Sequence, residues 1–223
     1  MEYITYDAIE AYITSHLNPY PSPLSEMEQT ARERYIPIVQ PETARLLALL
    51  AQISQPDSIL EIGTAIGYSA LVLANALPGT PITTIERDET MICEAKEWIR
   101  RTDKQEQIQI VQGEAMALLP ELVQQGKQFD FLFLDAAKGH YSRMLPHLIS
   151  LLPPKGVLVC DNVLSRGMVS MPDEAIPRDN RTIARRLREF HDMLKDCPEL
   201  DTAVIPIGDG ISLSRKKEEP THA

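Results

Sequence analysis

The 223-residue sequence predicts an α/β protein with one mostly parallel sheet, helices on both faces of it, and an antiparallel hairpin at its end. Short apolar runs alternate with helical patterns from Ser58 to Asp161, and such alternation is typical of a parallel sheet. The runs Thr202 to Ile207 and Ile211 to Arg215, joined by Gly208-Asp209-Gly210, instead predict a hairpin with an Asp-Gly turn. Five alternating strands and this hairpin make seven.

The N-terminal quarter of the chain predicts three helices. Asp7 to Leu17 has apolar residues at four-residue spacing, Ser25-Glu-Met-Glu28 is a capping-box pattern that starts a second helix, and Pro41 lies near the start of a third. Within a single domain, 1–223, we expect the helices of 1–55 to cover the ligand site or a dimer interface of the core, 56–223. Simple packing against that core explains them equally well.

The predicted parallel strands are short apolar runs that end in turn residues. The first, Ser58 to Ile62, is continuous, as in strands buried on both faces. The others are Ile82 to Glu86, Ile108 to Gln112, Phe129 to Asp135 and Gly156 to Asp161.

A ligand cradle is predicted where the first strand meets its helix. Gly63 and Gly67 allow a sharp turn and a close backbone approach to a ligand. The pattern lacks the Gly-x-Gly of dinucleotide sites, and Glu61 before the turn repels a pyrophosphate but suits a cationic amino group. Glu86 ends the second strand, where a ribose is held in such folds. Either glycine alone is more often just a turn residue.

Acidic side chains end two later strands. Asp135 and the pair Asp161-Asn162 follow apolar runs, and ligands of open α/β sheets lie beyond the carboxyl ends of the strands. Three hard oxygen ligands suit Mg²⁺, which leaves places for water and substrate. Asp-Asn is also common in turns.

Together these segments resemble the cation-dependent class I O-methyltransferases, which include catechol and caffeoyl-CoA O-methyltransferases. The matching segments are Glu61-Ile-Gly63…Gly67-Tyr68-Ser69, Glu86, Asp135-Ala-Ala-Lys138 and Asp161-Asn162-Val. The resemblance implies a Rossmann-like seven-stranded methyltransferase sheet, S-adenosyl-L-methionine as methyl donor, and a divalent cation.

The resemblance also implies residue roles. Asp135, Asp161 and Asn162 would bind the cation, and Lys138 would be the base or charge partner for the methylated hydroxyl, with Asp135 as its catalytic neighbour. A cation lowers the pKa of a bound hydroxyl; a solvated loop lysine is the plainer explanation of Lys138. The methyl-donor pocket would be lined by Val39, Glu61, Gly63, Ser69, Glu86, Glu114, Ala115 and Asp135.

Within this family the chain looks most like the bacterial tRNA 5-hydroxyuridine methyltransferases. The segments that carry this closer resemblance are Leu60 to Ala70, Asp135 to Gly139, Asp161 to Leu164 and Ile205 to Gly210. In 5-hydroxyuracil a hydroxyl lies next to a carbonyl, so the base chelates a cation as a catechol does. The expected substrate is therefore the wobble uridine of the tRNA anticodon.

A cluster of arginines provides candidate phosphate contacts for that tRNA. Arg178, Arg181, Arg185 and Arg186 lie in one short stretch after the last parallel strand, and arginine suits phosphate oxygens. An exposed helix paired with nearby acids such as Asp179 is an equally good explanation.

Composition narrows the remaining classes of function. The net charge of −10 argues against a broad nucleic-acid-coating surface, and Cys93, Cys160 and Cys197 have no disulfide or zinc spacing. No apolar run is long enough to cross a bilayer, so we expect a cytoplasmic protein without membrane contact. We also expect a homodimer. Two alternatives stay open: a small-molecule O-methyltransferase for catechol or caffeoyl-CoA-like substrates, and a non-catalytic nucleotide- or partner-binding module.

Overall fold

The computed structural model of the chain describes residues 7–218 and confirms the predicted fold class. Seven strands form one sheet in the order β3-β2-β1-β4-β5-β7-β6, in which β7 runs antiparallel to both β5 and β6 and the other pairs are parallel. The strands are β1 Ile59–Ile62, β2 Ile82–Glu86, β3 Ile108–Gln112, β4 Phe131–Leu134, β5 Val157–Cys160, β6 Leu200–Ile205 and β7 Ile211–Lys216.

Eight α-helices flank the sheet in the described part of the chain. They are α1 Asp7–Ser15, α2 Leu24–Arg34, α3 Pro41–Ser54, α4 Tyr68–Ala76, α5 Glu89–Arg101, α6 Ala115–Gln124, α7 Tyr141–Leu151 and α8 Arg181–Asp196. The domain boundaries stay a prediction, and 1–6 and 219–223 lie outside the described residues. No helix within residues 7–218 combines the length and apolar character that a bilayer crossing requires.

The central strands are buried because helices pack on both faces of the sheet. Every residue of β1 and β4 is buried, as expected for parallel strands covered on two sides. One core contains Leu47 of α3 and Leu71 of α4, and the other contains Leu148 of α7 and Phe190 of α8. This packing fixes the strand ends on which the site is built.

The predicted start of helix α2 is wrong for a local reason. Helix α2 begins at Leu24 directly after Pro23, whose carbonyl accepts a hydrogen bond from Met27 N at 3.0 Å. Ser25 therefore lies inside the first turn and is not the cap. A proline at a helix start loses no backbone hydrogen bond, so the helix starts there.

The hairpin also differs from the prediction, because its turn is longer than Asp-Gly. Strand β6 ends at Ile205, which pairs with Ile211, and residues 206–210 form the turn. Ile207 O accepts a hydrogen bond from Gly210 N at 2.8 Å, which draws Ile207 out of the strand. The turn consequently places Asp209 beside the neighbouring β5 loop.

Candidate active site

A cavity of about 630 Å³ opens at the carboxyl ends of the parallel strands. Its wall includes the turns after β1, β2, β3 and β4 and the segment 37–39 that precedes α3. Among the predicted site residues, the lining contains Val39, Gly63, Ser69, Glu86, Glu114, Ala115, Asp135, Lys138 and Asn162. Glu61, Asp161 and the four predicted arginines are outside this lining.

Gly63 allows the turn after β1 to pass close to the end of β4. Its φ is +101°, and a Cβ built there would lie 1.9 Å from the carbonyl oxygen of Asp135. Gly63 N also donates a hydrogen bond to Ile85 O at 3.0 Å. No side chain fits here, so the backbone itself forms the cavity wall.

We expect Gly63→Ala to lower the free energy of unfolding by about 2 kcal/mol more than Gly79→Ala, because overpacking against backbone costs roughly that much. Gly79 has a similar φ of +90°, but a Cβ added there would have nothing within 4 Å, so it carries the backbone strain without the clash. Urea unfolding of both variants measures the difference, and calorimetry should show weaker S-adenosylmethionine binding for Gly63→Ala alone. Equal losses of stability would contradict the close approach.

The Glu86 carboxylate is held in place at the end of β2 by backbone N–H groups. Its Oε2 accepts from Ala65 N at 3.0 Å, and its Oε1 accepts from Arg87 N at 2.8 Å and Asp88 N at 3.0 Å. These bonds join the turns after β1 and β2. A carboxylate has about four acceptor positions, so one is left for a ribose hydroxyl.

Glu61 differs from its predicted role as a direct ligand contact. Its side chain is fully buried beneath the turn, where it accepts a hydrogen bond from the Thr84 hydroxyl. Its Oε1 has no hydrogen-bond partner among the described residues. Burial, with smaller contributions from the charges of Asp135 and Glu86, raises the pKa of Glu61 to about 7. The apolar residues on either side of Glu61 in the strand indicated that its side chain is buried.

The two strand-end acids lie where β4 and β5 finish. Asp135 and Asp161 each follow the last strand residue directly, and Asp161 is 2% exposed while Asp135 is half-buried at the cavity. Burial raises the pKa of both carboxyls, the charge of Asp135 raises that of Asp161 further, and the Lys138 ammonium opposes both shifts. A bound cation would relieve the repulsion between the two carboxylates.

The residues at this strand edge fit a divalent cation with an incomplete protein ligand set. Asn162 N donates to Asp161 Oδ1 at 2.6 Å, and Asn162 lines the cavity with φ +59°. Within residues 7–218 no three His, Cys, Asp or Glu side chains cluster as a metal site. Two carboxylates and one amide are oxygen donors of the kind Mg²⁺ takes, with the other positions left to water and substrate.

Tyr141 and Asp209 are site residues that the sequence analysis missed. The buried Tyr141 hydroxyl donates to Asp161 O at 3.1 Å and accepts from Ala136 N at 3.3 Å, so it joins the ends of β4 and β5. Asp209 Oδ2 accepts from Lys138 Nζ at 3.1 Å. The Asp-Gly turn was visible in the sequence, but its contact with a residue 71 positions away was not.

Two of the four arginines predicted to bind RNA have hydrogen bonds within the protein. Arg181 Nε donates to Ile176 O at 3.0 Å, and Arg186 Nη1 donates to Gly139 O at 2.8 Å. These contacts use only part of the five N–H donors of each guanidinium group, and phosphate binding by Arg181 and Arg186 stays a prediction. Arg178 and Arg185 are exposed, and neither side chain donates to another residue within 7–218.

The fold, with its cavity at the carboxyl ends of the parallel strands, is that of a Rossmann-like methyltransferase. Comparison with known proteins makes this more specific. The family model described as O-methyltransferase matches residues 17–217, and the chain belongs to that family.

Relatives and solved structures agree with this assignment. The chain is 31% identical to a catechol O-methyltransferase of Niastella koreensis over 204 residues, 90% of each chain. It is 29% identical to a caffeoyl-CoA O-methyltransferase of Populus kitakamiensis over 94% of each chain. The structure of the O-methyltransferase TomG from Streptomyces achromogenes in complex with SAM superposes with a TM-score of 0.83 at 30% identity, covering 98% of this chain and 100% of that one. The protein is an S-adenosylmethionine-dependent O-methyltransferase.

Proposed function

We propose that the enzyme is divalent-cation-dependent and methylates one hydroxyl of a substrate that presents two neighbouring oxygens. The observation that carries this proposal is the pair of strand-end acids, Asp135 and Asp161, at the edge of the cavity that Gly63 and Glu86 also help to form. A cation held by Asp135, Asp161 and Asn162 would supply positive charge that lowers the pKa of the substrate hydroxyl and orients it.

The side chains of this chain then divide the remaining work. Glu86 and the Gly63 turn hold the methyl donor, and the cavity keeps donor and acceptor in near-attack geometry, which supplies roughly 7–11 kcal/mol in well-oriented reactions. Lys138 lines the cavity, and its side chain in the neutral amine form is the group that would receive the proton that the acceptor hydroxyl releases. The oxygen forms its bond to the methyl carbon as the carbon–sulfur bond breaks, so the donor leaves as a neutral thioether.

The acceptor we propose is 5-hydroxyuridine in the tRNA anticodon. The four segments that resemble the bacterial tRNA branch support it, and the exposed side chains of Arg178 and Arg185 are available to phosphate. A small catechol or caffeoyl-CoA-like acceptor is the second candidate, supported by the names of the relatives from Niastella koreensis and Populus kitakamiensis.

One experiment tests both parts of this proposal. The purified protein is incubated with labelled S-adenosylmethionine and hydroxylated tRNA, unmodified tRNA, catechol or caffeoyl-CoA, each with Mg²⁺ or excess chelator. We expect methyl transfer to hydroxylated tRNA that stops in chelator, identified by nucleoside mass analysis. Methyl transfer to catechol or caffeoyl-CoA but not to tRNA would show that the acceptor is a small molecule. Full turnover in excess chelator would refute cation dependence.

We expect Arg178→Ala together with Arg185→Ala to raise the KM for hydroxylated tRNA and to make binding less salt-dependent. Removing one phosphate contact to a single-stranded loop lowers the slope of log affinity against log salt by about 0.7. Filter binding across a salt series measures the slope. The double variant Arg32→Ala, Lys96→Ala removes the same charge from exposed positions on α2 and α5 and should leave the slope unchanged. Equal salt slopes for the wild type and both double variants would show that Arg178 and Arg185 do not contact the RNA phosphates.

A further inference from the structure

Asp209, in the turn between β6 and β7, uses its two carboxylate oxygens for two different contacts. Its Oδ2 accepts a hydrogen bond from Lys138 Nζ at 3.1 Å, and its Oδ1 accepts from the backbone N–H of Arg166. The side chains of Lys138 and Asp209 are 28% and 20% exposed. The ion pair is therefore partly removed from water, where a charge-assisted hydrogen bond is stronger than at an open surface.

The turn that carries Asp209 is fixed to the loop after β5. Val163 N donates to Gly210 O at 2.9 Å, and Leu164 N donates to Asp209 O at 3.1 Å. A Cβ on Gly210 would lie 2.4 Å from Leu164 Cγ, so only glycine allows this approach. The Asp209 carboxylate is consequently held at a defined position relative to the β5 loop that bears Asn162.

The backbone next to Lys138, the partner of Asp209, is also held by a contact with α8. Lys138 begins a short 3-10 turn, Lys138–His140, and Arg186 Nη1 of α8 donates to Gly139 O at 2.8 Å. The backbone on both sides of the ion pair is therefore restrained. The flexible four-carbon stem of the lysine is the part left free, and the hydrogen bond to Asp209 is what limits it.

We propose that Asp209 is a positioning residue, which orients the Lys138 side chain and stabilises the ammonium that forms when the Lys138 amine takes the acceptor's proton. Lys138 lines the cavity whereas Asp209 does not, so Asp209 acts through Lys138. The relation matches that of a base oriented by a third group in other active sites. The inference rests on the proposed role of Lys138.

Asp209→Asn separates the two contacts of this side chain. The amide oxygen still accepts from Arg166 N–H, while the amide NH₂ that replaces Oδ2 no longer accepts from Lys138. We expect kcat to fall about 10- to 100-fold, a part of the roughly 10²–10⁴-fold that a positioned general base contributes, because the base itself is still present. The melting temperature should stay within about a degree of the wild type. The KM for the acceptor and the Kd for S-adenosylmethionine should stay within about twofold.

The double-mutant cycle with Lys138→Met tests whether the effect passes through the lysine. In that background we expect Asp209→Asn to leave the residual single-turnover rate unchanged, because residues that act as a unit are non-additive. Asp209→Glu, which restores the charge, should recover part of kcat. Asp201→Asn is the matched control: Asp201 pairs with Lys217 at 3.3 Å on the same hairpin, and its replacement should leave kcat unchanged.

The outcomes separate this inference from the proposed function. A wild-type kcat for Asp209→Asn, or the same fold loss in the Lys138→Met background, overturns the positioning role. A fully active Lys138→Met enzyme instead overturns the proposed role of the lysine, and the Asp209 inference with it.

Discussion

Asp161→Asn is expected to lower methyl transfer at saturating donor and acceptor by about 10³-fold while the fold survives. A cation that stabilises a developing oxyanion contributes several kcal/mol, and about 4 kcal/mol corresponds to that factor. Asparagine keeps the shape of Asp161 but removes the charge that faces the cation. The measurement is single-turnover transfer of the labelled methyl group with Mg²⁺ present.

The same change should leave the cation-free protein as stable as the wild type or more so. Asp161 is 2% exposed, and the neighbouring Asp135 carboxylate repels its charge, so neutral asparagine relieves an unfavourable buried interaction. Mg²⁺ should raise the melting temperature of the wild type but not that of the variant. Asp130→Asn is the control, because Asp130 lies at the opposite end of β4 and accepts from Ser58. Normal turnover by Asp161→Asn would exclude this acid as a cation ligand.

The strand-end acids were predictable because their position depends only on local pattern and topology. Short apolar runs predicted β4 and β5, and a parallel sheet brings the carboxyl ends of neighbouring strands together. The structure has Asp135 and Asp161 one residue beyond those strands. Gly63 was predictable for a related reason, since a glycine after a buried strand indicates a turn that no side chain fits.

The contacts between distant loops were not predictable, because sequence spacing carries no information about them. The short stretch that contains Arg181 and Arg186 was visible in the sequence, but the hydrogen bonds of their side chains to the carbonyls of Ile176 and Gly139 were not. The charge of Glu61 suggested a ligand contact, whereas the continuous apolar run around it, typical of a strand buried on both faces, was the better guide to its burial. A motif therefore identifies which residues matter more reliably than what each one touches.

The buried Glu61 should make the wild-type protein lose stability as the pH rises through neutrality. Burial raises the pKa of Glu61 from 4.5 to about 7, so the folded state holds this proton more tightly than the unfolded chain does. The stabilisation from that proton is complete below the unfolded pKa and is lost as the pH rises through the folded pKa. A difference of about 2.5 units corresponds to about 3 kcal/mol, since one unit is worth 1.36 kcal/mol.

Glu61→Gln should remove this pH dependence, because glutamine is neutral throughout and close in shape. Relative to the wild type, we expect the variant to gain about 3 kcal/mol of unfolding free energy between pH 4.5 and pH 8, measured by urea unfolding of cation-free protein at several pH values. Glu121→Gln, on the exposed face of α6, should show a constant difference in unfolding free energy from the wild type over that range.

Because Glu61 lies outside the cavity lining, the Kd of Glu61→Gln for S-adenosylmethionine should stay within about threefold of the wild type, less than 1 kcal/mol. A stability difference between Glu61→Gln and the wild type that does not change with pH would show that the carboxyl titrates normally. A large loss of affinity for S-adenosylmethionine would support the direct contact predicted from the sequence.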